Sequence, residues 1–88
     1  LDVQSQIVKL QLPADADHSA EIDEVLAKIA TRSDLVSVES VRGGAMSEYV
    51  YAVQLRRGAA AGEVVAALQQ LTAGQKVTVL TGYDRSDL

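Results

Sequence analysis

The residues best suited to chemistry lie in one stretch ahead of and within the first predicted helix. It holds five carboxylates and the only histidine of the chain: Asp15, Asp17, His18, Glu21, Asp23 and Glu24. A calcium-binding loop supplies oxygen ligands at alternating positions around an obligatory glycine and ends on a bidentate glutamate. This stretch has neither feature. Carboxylates at the start of a helix are stabilised by its dipole, so the pattern favours a solvated acidic surface with a surface histidine, and a cation site is the alternative.

The other polar residues form no catalytic pattern. The chain has no cysteine, which excludes a disulfide, a thiol nucleophile and a thiolate metal site. Gly43-Gly44 is followed by neither Lys-Ser/Thr nor a helix, so it predicts a hairpin turn and not a phosphate loop. Serine, histidine and aspartate are present without the spacing of a nucleophile elbow. We therefore expect a non-enzymatic domain without metal or cofactor.

Size and charge narrow the class of protein further. The 88 residues are enough for one domain, and 12 acidic against 8 basic residues give a net charge of −4. Proteins that bind nucleic acid or an anionic membrane surface normally have the opposite balance, so we expect neither partner. No apolar run approaches the roughly 18 residues of a membrane span. Because the chain starts without methionine, we expect it to be part of a longer polypeptide.

Residues 48–56 are the clearest strand in the sequence. One side of their period-2 pattern is apolar and carries Tyr49, Tyr51, Val53 and Leu55, while the other side is mixed. In an RNA-recognition motif two aromatic residues of this strand would face outward to stack on bases. Here the tyrosines are in phase with the apolar residues. The pattern predicts that they point into the core.

Around this strand the chain reads as β-α-β-β-α-β. Strands are predicted over residues 3–12, 35–41, 48–56 and 76–81, and helices from about 19 to 31 and over 59–73. Asp17 or Ser19 is the predicted N-cap of the first helix, Ser33-Asp34 a turn, and Gly74 the C′ residue of the second helix. Right-handed crossovers place both helices on one face of the sheet. The prediction is an α+β ferredoxin-like sandwich with an antiparallel sheet of order 4-1-3-2, a domain over 1–82 and a polar tail over 83–88.

The face of the sheet without helices is the predicted interaction surface. Its candidate residues are Ile7, Lys9, Val50, Ala52, Gln54 and Arg56, an apolar patch with a polar and basic edge. Such a patch on a small domain is typical of pairing with another copy or with a neighbouring domain. The alternative is a set of single surface hydrophobes, which are common.

Two short strands and a helix resemble the regulatory modules called ACT domains. The similar segments are residues 35–41 and 48–53, as the second and third strands, and 65–71, as the second helix. ACT domains that bind amino acids usually have an Asp-x-x-Gly motif after the first strand, where this chain has Asp15-Ala16-Asp17-His18. The resemblance implies a sensor of small ligands, such as an amino acid or a nucleotide, as one hypothesis.

The chain resembles more closely the soluble C-terminal domains of bacterial multi-pass membrane proteins of the MgtC/SapB type and of a related family found beside polyphosphate polymerases. The resemblance rests on residues 35–38, 51–55 and 77–80. It implies a cytoplasmic regulatory or protein-interaction module, tethered to the inner membrane through the rest of its parent chain and not touching the membrane itself. This is our first hypothesis, the ACT-type sensor is the second, and a small dimeric ferredoxin-like enzyme is the third.

Overall fold

The computed structural model describes residues 5–83. Its elements, in chain order, are β1 (Ser5–Pro13), α1 (Ser19–Ile29), β2 (Ala30–Val41), a 3-10 turn (Arg42–Gly44), β3 (Met46–Leu55), α2 (Ala61–Leu71) and β4 (Val77–Tyr83). The four strands form one antiparallel sheet of order β2-β3-β1-β4. This confirms the predicted ferredoxin-like topology, with β1 and β3 at the centre. The predicted start of the first strand at 3–4 and the tail over 84–88 lie outside the described residues.

The main core lies between the sheet and the two helices. Leu26 and Val64, one from each helix, are completely buried against the inner side of the central strands. Tyr49 and Tyr51 belong to the same cluster and are 2% and 1% exposed. No helical residue belongs to the smaller cluster on the opposite side of the sheet. Both helices therefore cover one face, and the inward orientation predicted for the tyrosines is confirmed.

The junction between α1 and β2 differs from the prediction. α1 ends at Ile29, and β2 starts at once with Ala30, so the helix does not reach residue 31 and the turn predicted at Ser33-Asp34 is strand. Ala30 pairs with Leu55, and the backbone N–H of Arg56 donates to the Ile29 carbonyl at 3.0 Å. Pairing with the far end of β3 thus overrides the local turn preference of these residues.

An irregularity in β2 explains its ambiguous sequence pattern. Leu35 pairs with Tyr51, while Ser37 pairs with the preceding residue of β3, so Val36 is the extra residue of a β-bulge. Leu35 and Val38 consequently share the helix side with the tyrosines, although 45% and 49% of their surfaces stay exposed at the sheet edge. Val36 packs against the apolar cluster of the other face.

The start of α1 is organised by Asp17, although not as a helix cap. The N-cap position is His18, whose side chain makes no cap hydrogen bond. The Asp17 carboxylate instead accepts the backbone N–H of Ser19 at 2.9 Å. That hydrogen bond is the main cause that lowers the pKa of Asp17. The prediction of Asp17 or Ser19 as N-cap was wrong by one residue. The N–H of Ser19 is nevertheless one of the four at the start of a helix that have no intrahelical partner, and Asp17 satisfies it.

The last turn of α2 also differs by one residue from the prediction. Thr72 is the C-cap, and Ala73 occupies the left-handed C′ position with φ 55°. Gly74, with φ 84°, donates its N–H to the Gln69 carbonyl at 2.9 Å, which is the outer hydrogen bond of a Schellman motif. β4 then continues to Tyr83, which the sequence placed in the tail, and Tyr83 pairs with Ser5.

Ala73→Gly is expected to raise the free energy of unfolding by up to about 1 kcal/mol. A left-handed conformation costs an L-residue roughly 1–2 kcal/mol, and glycine avoids that cost but loses more backbone entropy on folding. Urea denaturation of both proteins measures the difference. Gly74→Ala is the matched control, and it should destabilise the domain because it places a side chain at another positive φ. A gain from Gly74→Ala, or a loss from Ala73→Gly, would contradict this assignment of the helix end.

Candidate functional site: the open face of the sheet

The candidate site is the face of the sheet that no helix covers, called here the open face. Directly opposed residues of antiparallel strands point to the same side, so the register defines its rows. One row runs from β2 to β4 as Asp34, Ala52, Ile7 and Leu80, and the next as Ser37, Val50, Lys9 and Thr78. A third row begins with Glu39, Glu48 and Gln11. Since Leu10 pairs with Val77, the preceding Lys76 comes level with Gln11.

The centre of the open face is a second, small core. Ile7 is 0% exposed, Ala52 4% and Val50 7%, and Val36 and Leu80 pack against them. All these contacts come from a single chain. The apolar patch therefore lies where the sequence placed it, but its three members are already closed over by their neighbours. A partner would meet mainly the polar residues around this centre.

Gln54 and Arg56 are the two predicted site residues at the end of β3, and their side chains lie in different places. Gln54 is half-buried and pairs with Arg32 of β2. Its carbonyl accepts the Thr31 hydroxyl at 3.3 Å. Arg56 follows the last residue of the strand, so the alternation no longer applies to it.

The Arg56 side chain turns toward α1. Its Nη2 donates to the Ala27 carbonyl at 3.1 Å, in the last turn of that helix. The final carbonyls of a helix lack intrahelical partners and attract cations, so this contact stabilises the end of α1. The placement of Arg56 on the open face was wrong for this reason.

Acidic residues collect at the β2–β3 side of the open face. Glu39 and Glu48 stand directly opposite each other on neighbouring strands. Like charges in this position destabilise a sheet. Glu48 is partly compensated, since its Oε2 accepts the Gln11 amide at 3.3 Å. Glu39 is exposed and makes no ion pair within the described part of the chain.

Basic residues collect at the β1–β4 side. Lys9 is half-buried on β1, and Lys76 is exposed just before β4. Within residues 5–83 neither ammonium group has an ion pair or a hydrogen bond. Arg42 adds a third cation, because its Nε donates to Gln11 Oε1 at 2.8 Å. Sequence reasoning selected Lys9 but missed Glu39, Glu48, Arg42 and Lys76, since only the strand register brings them together.

Arg42 takes an unusual backbone conformation to reach this position. Its φ is 53°, and the glycines at 43 and 44 continue the turn with φ 65° and 93°. A left-handed arginine costs roughly 1–2 kcal/mol, and the hydrogen bond to Gln11 offsets part of that cost. The glycine pair thus makes the hairpin that was predicted, and it directs a guanidinium onto the open face.

In the acidic stretch, both ring nitrogens of His18 contact residues close to it in the chain. Nδ1 of His18 lies 2.8 Å from Glu21 Oε1, and Nε2 lies 3.1 Å from the Pro13 carbonyl oxygen. The bond to Glu21 is the main cause that raises the pKa of His18. The backbone N–H of His18 donates to the Tyr49 hydroxyl at 3.0 Å, which fixes the loop to the sheet. Among residues 5–83 no three histidine, aspartate or glutamate side chains gather in a way that could hold a metal ion.

Comparisons of this chain with protein-family models, with curated proteins and with solved structures found no match. Across residues 5–83, neither helix has the length and apolar character that crossing a membrane requires. The class that the structure defines is a ferredoxin-like α+β domain, and its function has to be argued from the open face.

Proposed function

We propose that this domain is a non-enzymatic regulatory and protein-interaction module that pairs with a second copy of itself through the open face. The observation that supports pairing is the separation of charge across this face. At the end of the face that holds Glu39, acids lie on the β2–β3 side and cations on the β1–β4 side, next to the apolar centre. At the other end the Arg32 and Asp34 side chains of β2 form an ion pair at 3.1 Å, so they add no net charge. Homodimers are usually two-fold symmetric, so each surface must complement itself.

A two-fold axis parallel to the strands makes the open face self-complementary. Such an axis lays β2 of one copy over β4 of the other, and β3 over β1. Glu39 then faces Lys76 of the second copy, and the symmetric contact repeats the pair. A row further along, Val50 faces the aliphatic stem of Lys9, and long stems of this kind cover apolar surface well. This orientation brings opposite charges together at both sides of the interface.

The perpendicular two-fold axis is less favourable. It lays β2 of one copy over β2 of the other. The basic end of one face then lies over the end of the second face that holds Ser5 and Gln54, where β1 and β3 have no carboxylate. The lysines would then stay without partners. The charge pattern therefore selects the axis along the strands.

Charge exchange between Glu39 and Lys76 tests both the pairing and its axis. Glu39→Lys and Lys76→Glu each create two repulsive contacts per dimer, and we expect each to weaken dimerisation about 10-fold or more at low salt. The double variant E39K/K76E restores opposite charges and should recover most of the affinity. Sedimentation equilibrium measures the dissociation constants, with Lys28→Glu on the outside of α1 as the control for net charge.

Two results would contradict the proposal. A wild-type protein that sediments as a monomer up to about 1 mM would exclude pairing as its function, because that affinity corresponds to only about 4 kcal/mol. If E39K/K76E dimerises as weakly as the added losses of the two single variants predict, this axis would be excluded. Glu39→Lys also removes the repulsion with Glu48 inside one chain, so its fold should not be weakened.

The attachment of this module to a membrane protein stays a prediction from the resemblance described above. Apolar spans in the reading frame upstream of Leu1 would support it. The sensor hypothesis has separate support in a groove of the open face, which is described next.

A further inference from the structure

A groove opens at the basic side of the open face, between β1 and the start of β4. Its volume is about 300 Å³. Its polar lining includes Lys9, Gln11, Arg42, Lys76 and Thr78. This volume is at the lower end of the range for small-molecule sites and exceeds that of a simple inorganic ion.

The charge of the groove is opposite to that of the protein. Three cations and one carboxylate line it, whereas the whole chain has a net charge of −4. The carboxylate of Glu48 is engaged by the Gln11 amide, and the same glutamine holds Arg42 through Nε alone. The two terminal nitrogens of the guanidinium therefore stay available, and these form the fork that matches a phosphate or a carboxylate.

The neutral donors of the groove are also unused. In the described part of the chain the Thr78 hydroxyl and the Gln75 amide make no hydrogen bond, and the Lys9 and Lys76 ammonium groups have no counter-ion. Leu80 supplies an apolar wall beside these donors.

We propose that this groove binds a small organic phosphate monoester. The local excess of two positive charges is neutralised by a dianion, and a monoester is a dianion above its second pKa of about 6. The guanidinium fork, the two ammonium groups and the Thr78 hydroxyl supply donors for its oxygens, and the wall at Leu80 accommodates part of the organic group. This site goes beyond the pairing proposal, because all its residues belong to one chain. Lys9 and Lys76 also face the second copy in the proposed dimer, so the phosphate and the second copy compete for them.

Titration with phenyl phosphate tests the proposal, with backbone amide shifts recorded by NMR at constant ionic strength. We expect saturable shifts at residues 9–11 and 76–78 with a dissociation constant at or below about 1 mM. Phenol, which lacks the charge, should cause no saturable shift there. The double variant K9Q/K76Q should bind at least about 10-fold more weakly, and K28Q, on the outside of α1, should bind as the wild type does. Lys76→Gln alone, at an exposed position, should give a smaller loss and serves if the double variant does not fold.

Three results would overturn the proposal: no saturation by about 20 mM phenyl phosphate, equal affinity of wild type and K9Q/K76Q, or equal shifts with phenol. The titration is repeated on Glu39→Lys, whose residue 39 lies outside the groove and whose pairing should be weak. Binding must persist in that variant. A protein that never pairs but shows these shifts would refute only the pairing. Absence of the shifts in the weakly pairing Glu39→Lys variant would refute only the groove.

Discussion

Tyr51→Ala is expected to lower the free energy of unfolding by about 3–5 kcal/mol. Tyr51 is 1% exposed and is the largest of the fully buried side chains in the main core. Removing its ring leaves a cavity beneath both helices that the sheet cannot close. In a domain of this size the loss is a large share of the total stability, so a substantial fraction of the variant should be unfolded at 37 °C. Urea denaturation followed by far-UV circular dichroism measures it.

Tyr51→Phe is the control that separates the ring from its hydroxyl. The hydroxyl is buried and has no partner at hydrogen-bonding geometry, although the Asp23 carboxylate is near enough to oppose its ionisation. Burial first, and then this carboxylate, raise the pKa of Tyr51. Removing an unsatisfied hydroxyl should be neutral or stabilising by about 1 kcal/mol. A large loss from Tyr51→Phe would show that the hydroxyl has a partner, and a small loss from Tyr51→Ala would show that the ring is not in the core.

The sequence was enough to predict the fold where local pattern and long-range pairing agree. β3 has an unbroken apolar side from Tyr49 to Leu55, both helices have continuous apolar stripes, and the glycine pair at 43–44 marks the hairpin. The local sequence pattern gave a wrong prediction where strand pairing determines the structure. The first residues of β2 have the composition of a turn, and they are strand because β3 is long enough to pair with them. The bulge at Val36 left no sequence signal beyond an ambiguous phase.

The candidate site was predictable in part, for a related reason. Alternation alone places Ile7, Val50 and Ala52 on the open face. Their burial depends on contacts with β2 and β4. The strand register that brings Val36 and Leu80 to them cannot be predicted from the alternation within one strand. The same holds for the charges, since Glu39 and Lys76 are far apart in the chain and become two sides of one surface only in the assembled sheet.

Ile7→Ala is expected to lower the free energy of unfolding by about 2–5 kcal/mol, a loss usual for a core residue and unusual for the open side of a sheet. Ile7 is 0% exposed, and its covering neighbours all come from its own chain. Val38→Ala on β2, where the side chain is 49% exposed, is the matched control and should cost about 0.5 kcal/mol. Chemical denaturation of both variants gives the comparison.

The dependence of this loss on protein concentration tells what covers Ile7. If its own chain does, the difference between Ile7→Ala and wild type stays the same at protein concentrations well below and well above the dimer dissociation constant. If a second copy contributes much of the cover, the difference grows with concentration, because assembly stabilises only the form that pairs. A loss below about 1 kcal/mol at every concentration would contradict the second core and, with it, the apolar centre on which the pairing proposal rests.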